Sequence, residues 1–517
     1  MKNYIRIIRK NVFSFLLPIF FLSISYPFQD SLKSQIPSIS SISNEVVASV
    51  GPINITAEEF FYSYEFGPAF VKRRSDSKSR YLKYMVNEKL LALDGYERKF
   101  DEREDVASVI KDFENDIATE EMFKKDILSE VKISEEEIDT LMIQKQLELD
   151  LSWLYAGTED KLNELRAALD RGIPFDSLYN LQFNDSIYVN DRSMKINRYQ
   201  FDKKNPELAK IIDTLQIGKP SEPIKVSDGW YIVRLNNVRR NILINETELM
   251  KLRAESISAL KKRKMDKLSD EYVSHLLLEQ SPVIKRESFN ILRSYLGIYL
   301  LSEEKYDRWN LSGTLKHALD SLKVTKENIG KTILIVMNDG SVKLEEFLNW
   351  YKNRSQYIKF NKKDLRSFSI SLENLIWRML RDKLLTEEAF KKNFNKTESF
   401  RKQARWWKDK IVYSAVRQEI VESVLMVEDE VTIDNKDSVN VKLNNDELNT
   451  EINRKLFHKL NTLKKKYGVR INEDVLEEIP VSDENNPKAI DFYTVKKGGL
   501  IPRSAYPTID FEWKSWE

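Results

Sequence analysis

A chain of 517 residues is long enough for roughly three or four domain-sized units, and its 83 Lys and Arg against 81 Asp and Glu leave no basic excess for a polyanion, so nucleic acid is not an expected partner. The absence of cysteine excludes disulfide frameworks, thiolate metal sites, cysteine nucleophiles and a lipidated cysteine. The three histidines, His275, His317 and His458, stand far apart in charged helical contexts, so neither a histidine metal site nor a Ser-His-Asp triad is expected, and no cofactor is called for.

In chain order, Lys2, Arg6, Arg9 and Lys10 precede an apolar run from Val12 to Ile24, with small residues at Ser23 and Ser25. This is the pattern of a secretory signal peptide, assigned to residues 1–25. The run is interrupted by Pro18 and is short for a hydrocarbon core of ~30 Å. Membrane anchoring is therefore expected only if this segment is retained. Residues 26–43 read as a Ser/Pro-rich linker.

A short β-branched strand then leads through Gly51-Pro52 to a second strand and to Thr56-Ala-Glu-Glu59, the spacing of a capping box, with Thr56 as N-cap and Glu59 reaching back to its amide. Helix follows from Phe60, and from Tyr81 to about Glu130 an apolar stripe includes Leu82, Met85, Val86, Leu90, Leu91 and Leu93. The pattern returns at Thr332–Phe347. Glu58-Glu59-Phe60 corresponds to Glu345-Glu346-Phe347, Glu88–Leu91 to Asp382–Leu385, and Ile133–Ile138 to Met426–Val431. The offset stays at about 290 residues, which reads as a duplication. Two long basic helices, 249–278 and 446–467, each lead to a short strand-like run and are expected to return to the modules that precede them.

Residues 148–240, within the first copy only, alternate strand and helix signals: strand Leu149–Tyr155, helix 159–170, a helix start at Phe175–Leu178, helix 206–215, a turn at Ile217-Gly218 and strand Gly229–Leu235. They predict a small α+β domain.

Three stretches of this insert are Arg171-Gly-Ile-Pro-Phe175, Leu215-Gln-Ile-Gly-Lys-Pro-Ser-Glu-Pro-Ile224 and Asp228-Gly-Trp-Tyr-Ile-Val-Arg-Leu235. The insert resembles a parvulin domain, and the flanking hairpin and helices resemble the chaperone module of SurA- and PrsA-like foldases. The resemblance implies an exported, periplasmic or cell-envelope foldase whose partners are unfolded or nascent envelope proteins. It departs from the family at the catalytic positions. The two strand histidines of parvulins are replaced by Trp153 and Tyr231, and Asp185 and Asp191 are the nearest stand-ins for the acidic residue by the prolyl bond. An apolar pocket from Met194, Phe201, Leu208 and Trp230 is expected to survive this loss.

The architecture expected is a predominantly helical α+β chain. A SurA-like helical chaperone module occurs twice, at 44–147 and 296–430, with the parvulin-like domain at 148–240 inserted in the first copy. A returning helix region is placed at 241–295, the C-terminal helix region of the second copy at 431–480, and an extended tail at 481–517. Aromatics at Phe60, Phe61, Tyr64 and Phe66, with Phe347, Trp350 and Tyr351, are expected to line a client groove, and Trp406-Trp407 with Tyr413 to form an exposed contact surface. Three activities are compatible with this pattern: a chaperone without isomerase chemistry, a working isomerase in which Tyr231 or Asp185 substitutes, and an assembly factor with one partner docked through the tail.

Overall fold

Val46–Val50 (β1) and Ile53–Thr56 (β2) pair around Gly51, whose φ of +54° favours glycine. In the computed structural model of the protein, residues 42–72, 75–184, 192–241, 245–355, 358–431, 445–481, 493–501 and 506–515 are described. The expected signal peptide, nearly all of the linker, and Asp185 and Asp191 lie outside these residues. The described residues divide into two compact units: one holds 42–130 together with those from Met265 onward, and the other runs Val131–Lys264.

Thr56 caps helix α1 (Ala57–Glu65), its Oγ1 accepting from the Glu59 amide at 3.2 Å. The Glu59 carboxylate was expected to bond back to the Thr56 amide; it turns inward instead, to Lys89 Nζ at 2.5 Å. Long helices α2 (Ser77–Glu97) and α3 (Glu104–Asp126) follow, joined by a 3-10 turn at Phe100–Glu102.

The Val131–Lys264 unit begins with α4 (Glu135–Gln146), capped by Ser134 and Glu137 in a reciprocal box. Next come β3 (Leu147–Ala156), α5 (Glu159–Asp170), α6 (Phe175–Asn184), β4 (Ser193–Asn197), α7 (Arg198–Lys204), α8 (Pro206–Ile212), β5 (Ile224–Val226) and β6 (Gly229–Arg240). The four strands form an antiparallel sheet in the order β4-β3-β6-β5. Strand alternation sorts its side chains. Leu149, Leu151, Ile196, Val233 and Leu235 pack with Phe201 and Leu208, whereas Leu154 and Ile232 pack with Leu162, Phe175 and Leu178 on the opposite face. Helices thus cover both faces of a small sheet, the α+β class that the alternating signals predict.

Helix α9 (Glu246–Gln280) contains the unit boundary. The remainder comprises β7 (Val283–Ile284), α10 (Arg286–Leu300), α11 (Glu303–Arg308), α12 (Leu311–Leu322), β8 (Ile333–Met337), β9 (Gly340–Lys343), α13 (Leu344–Arg354), α14 (Leu365–Lys391) and α15 (Glu398–Val431). It ends with α16 (Asn445–Tyr467), β10 (Val469–Ile471), α17 (Glu473–Glu478), β11 (Tyr493–Val495) and β12 (Gly499–Ile501). The order hairpin, helix, long helix, 3-10 turn, long helix occurs at 46–126 and again at 333–431. One ion pair also recurs: Lys89 with Glu59 in the first run, and Lys383 with Glu346 at 3.2 Å in the second.

The returning helices do lie against the runs that precede them, Tyr272 of α9 with its ring 6.2 Å from that of Phe123 and Lys455 of α16 donating to Ser423 O at 3.2 Å, but the strands that follow them pair elsewhere. β7, which follows α9, pairs with β8 of the second hairpin, and β10, which follows α16, pairs with β1 of the first, Val50 opposite Val469. The route of α15 explains the exchange. Ile411, Val412, Val416 and Ile420 share one core with Leu90 and Leu91 of α2 and Val106 and Ile110 of α3, carrying the chain back to the first hairpin. Gly95 permits the close approach, because a Cβ there would overlap Val412. Among the described residues no helix is long and apolar enough to cross a membrane.

Candidate functional site

Register places Trp153 and Tyr231 on one face of the sheet in the Val131–Lys264 unit. Trp153 faces Val233 across the β3–β6 ladder and Tyr155 faces Tyr231, so Trp153 and Tyr231 occupy diagonal positions. Met194 of β4, opposite Leu151, shares this face. Phe201 and Leu208 lie beneath it as core residues, 3% and 9% exposed, while Met194 is partly buried, like Trp153 and Tyr231. Trp230 does not join them. It faces Ala156 and packs with Leu165, Leu169 and Tyr179 on the opposite face, because residues one apart in a strand point to opposite sides.

Sequence reasoning missed a polar cluster beside Tyr231. The Tyr231 hydroxyl donates to the Asp228 carboxylate at 2.9 Å, and the Tyr155 hydroxyl donates to the Asp228 carbonyl oxygen at 2.9 Å. The two rings meet edge to face at 5.2 Å. Gly229 makes this possible: its φ is +153°, and a Cβ there would lie 2.5 Å from the Tyr155 ring. β4 covers β3 only as far as Ser152, leaving the Tyr155 main chain open on that edge. The Gln182 carboxamide fills the gap, accepting from Tyr155 N at 3.2 Å and donating to Tyr155 O at 2.9 Å. Arg192 donates to the same carboxamide, and its carbonyl accepts from Trp153 N at 2.9 Å.

Burial pushes the Tyr231 phenol up, and the hydrogen bond to ionised Asp228 adds to the shift, so the phenol keeps its proton at neutral pH. Burial lowers the Arg192 guanidinium from its usual range. The sequence carries no histidine between Val131 and Lys264. Both phenolic protons are committed to Asp228, so the cluster offers aromatic faces, phenolic lone pairs and one guanidinium. Among the described residues no group of three His, Cys, Asp or Glu side chains is placed to hold a metal ion.

The Leu215–Ile224 stretch builds the rim of β6. Gly218 N and Ser221 N donate to Leu235 O and Val233 O, each at 2.8 Å, and Ser221 Oγ accepts from Val233 N at 2.9 Å. Its serine and glycine therefore serve the sheet edge.

In the other unit, the aromatics expected to line a groove are mostly core. Phe60, Phe61, Tyr64, Phe347 and Tyr351 are buried because they form the inner faces of α1 and α13. Trp406 and Trp407 are not an exposed surface either, at 3% and 7% exposure. The Trp407 ring lies tilted against Phe113 of α3 at 4.1 Å and Trp406 lies 6.3 Å from the ring of Tyr506, since α15 is covered on several sides. Tyr413 is also buried, its hydroxyl donating to Asp510 at 2.8 Å.

No protein-family description and no curated protein matches the chain. Among solved structures it is similar to the peptidylprolyl isomerase PrsA from Bacillus anthracis, at 16% identity and a TM-score of 0.21 over 29% of this chain and 69% of that one. A second similarity is to PrsA from Bacillus subtilis, at 16% identity and a TM-score of 0.15 over 44% of this chain and 92% of that one.

Proposed function

We propose that the chain is an exported chaperone of the cell envelope that holds unfolded or nascent envelope proteins, and that its Val131–Lys264 unit is a parvulin-like peptide-binding domain without efficient isomerase activity. The observation that supports this is the commitment of the Tyr231 hydroxyl to Asp228, at one of the two positions (the other is Trp153) where the family resemblance implies a catalytic histidine, with the neighbouring Tyr155 hydroxyl committed to the same residue. Prolyl isomerisation has a barrier of about 20 kcal/mol and removes no proton. A catalyst must therefore place free donors and a dry pocket around the twisted amide. Here the pocket side chains Phe201 and Leu208 are core, and the donors are already used.

Arg192 favours a second reading, a slow isomerase, because a guanidinium beside Tyr155 and Tyr231 is one remaining donor for an amide carbonyl. A protease-coupled assay on a prolyl tetrapeptide separates the two. The non-catalytic reading expects the uncatalysed rate at enzyme concentrations up to the substrate concentration. A rate that rises linearly with protein and falls on Arg192→Ala establishes the isomerase instead.

A further inference from the structure

The segment Tyr506–Ser515 has no strand partner among the described residues: residues 506–510 carry no regular secondary structure and Phe511–Lys514 form a single 3-10 turn. Ordering such a segment costs conformational entropy that no sheet ladder offsets, so side chains of the body must hold it. They do so by reading its main chain. Tyr81 Oη accepts from Ile509 N at 3.3 Å, and Glu88 Oε1 accepts from both Asp510 N at 2.9 Å and the Trp513 indole N–H at 3.0 Å. The Asp510 carboxylate meets Lys410 Nζ at 2.7 Å and Arg417 Nε at 3.4 Å, with the Tyr413 hydroxyl at 2.8 Å. Trp513 stacks on Tyr84 at 5.4 Å, and Tyr506 stacks on Tyr62 at 4.1 Å. Ile509 and Trp513 are fully buried.

This is how a protein holds a peptide: main-chain donors captured by side chains, one cationic pocket for a carboxylate and one slot for an indole. The fit is incomplete under Pro507 and Thr508. A cavity of ≈ 30 Å³ remains there, bounded by Ser63, Met85, Trp406 and Thr508 among others. Trp406 Nε1 and Thr508 Oγ1 are buried with no hydrogen-bond partner among the described residues, an arrangement costly for a core built as one piece.

We infer that the groove formed by α1, α2 and α15 is a binding site for an extended polypeptide segment bearing an apolar residue, an aspartate directly after it and a tryptophan three further on, and that residues 506–515 occupy it in cis as a displaceable stand-in. This rests on the reading of the chain as a polypeptide binder. Tethering puts the stand-in at an effective concentration on the order of millimolar, so only client segments of matching chemistry compete.

The test uses the full chain with a specific protease site inserted between Ile501 and Tyr506, cut after folding. The probe is a fluorescein-labelled peptide of residues 502–517, followed by anisotropy. The cut chain takes up the peptide saturably, at least tenfold more tightly than the uncut chain, and at least tenfold more tightly than it binds the same peptide carrying Asp510→Lys. In the uncut chain, Asp510→Ala raises uptake at least fivefold, a readout independent of cutting. The inference is overturned if the cut chain stays folded and retains its own fragment against excess peptide. Equal binding of the Asp510→Lys peptide also overturns it, as does tail exchange that only yields dimers of the chain. Aggregation suppression by the intact chain, measured in parallel, reports on the chaperone reading separately, because peptide uptake stands whether or not suppression is seen.

Discussion

The ammonium of Lys89 sits between two carboxylates far apart in sequence, Glu59 Oε1 at 2.5 Å and Asp409 Oδ2 at 2.7 Å, with all three side chains buried. It joins α1, α2 and α15 at one point, and Tyr96 adds a hydrogen bond to Asp409 at 2.6 Å. Burial works against the Lys89 charge, but Asp409 and Glu59 overcome it and hold the ammonium well above its usual range. Lys89→Met leaves two carboxylates buried without a cation. The expected loss is about 3–5 kcal/mol of unfolding free energy, read by urea denaturation. The triple variant with Glu59→Gln and Asp409→Asn recovers part of that loss.

Gly95 lies at a close approach of α2 and α15. Gly95→Ala adds a methyl where Val412 and Val416 already pack, and a cost of about 1–3 kcal/mol is expected. Val412→Ala in the same chain relieves the overlap, so a double-mutant cycle gives a favourable coupling energy. Additive losses would mean that the helices do not pack at this glycine.

The Asp510 carboxylate that anchors the C-terminal segment is sensitive only to acid. Burial alone would raise the Asp510 carboxyl, but Lys410 and Arg417 overcome it and hold it below its ordinary value of 3.8. A depressed carboxyl contributes stability that is fully present above the unfolded value and lost as pH falls through the folded one. The Asp510 contribution to holding the fragment, read by its release from cut chain, is therefore expected to be lost only below about pH 4, whereas the Glu88 carboxyl, which burial raises, acts in the opposite sense and weakens the hold as pH rises through its folded value. Release centred near pH 6 would show that another group controls the anchor.

Gly229→Ala tests the tyrosine cluster. Its Cβ meets the Tyr155 ring and its φ is unfavourable for alanine, so the Tyr155–Tyr231 contact must open. A loss of about 1–3 kcal/mol is expected, with changed near-ultraviolet dichroism of the tyrosines. Tyr231→Phe removes only the hydroxyl bond to Asp228 and is expected to cost about 0.5–1.5 kcal/mol while leaving the prolyl isomerisation rate where it was.

The sequence alone shows the small α+β domain well, since strand alternation around Leu149–Tyr155 and Gly229–Leu235 is a local signal. That Trp153 and Tyr231 share a face follows only from the β3–β6 register. Asp228, Arg192 and Gln182 are not legible either: each reads as a turn or helix-end polar residue, and only the register that sets Tyr155 opposite Tyr231 brings them together. Trp230 does not lie on the pocket face, because one step along a strand from Tyr231 reverses the face. The exchange of β7 and β10 between hairpins is equally hidden. Periodicity marks a segment as strand but carries no record of its partner, and β10 finds β1 across nearly the whole chain. Trp406 and Trp407 look surplus in a helix reading with no clear stripe; α15 buries several sides, so a one-sided stripe is not the pattern it needs.

The central claim is that the chain holds unfolded polypeptide and does not isomerise it. Its most direct measurement is light scattering of a chemically denatured, aggregation-prone protein diluted into increasing amounts of the full chain lacking residues 1–25. Suppression that saturates near stoichiometric ratios, and is unchanged by Tyr231→Phe, is the expected result. Scattering that follows the same course with and without a severalfold excess of the folded chain would contradict the account.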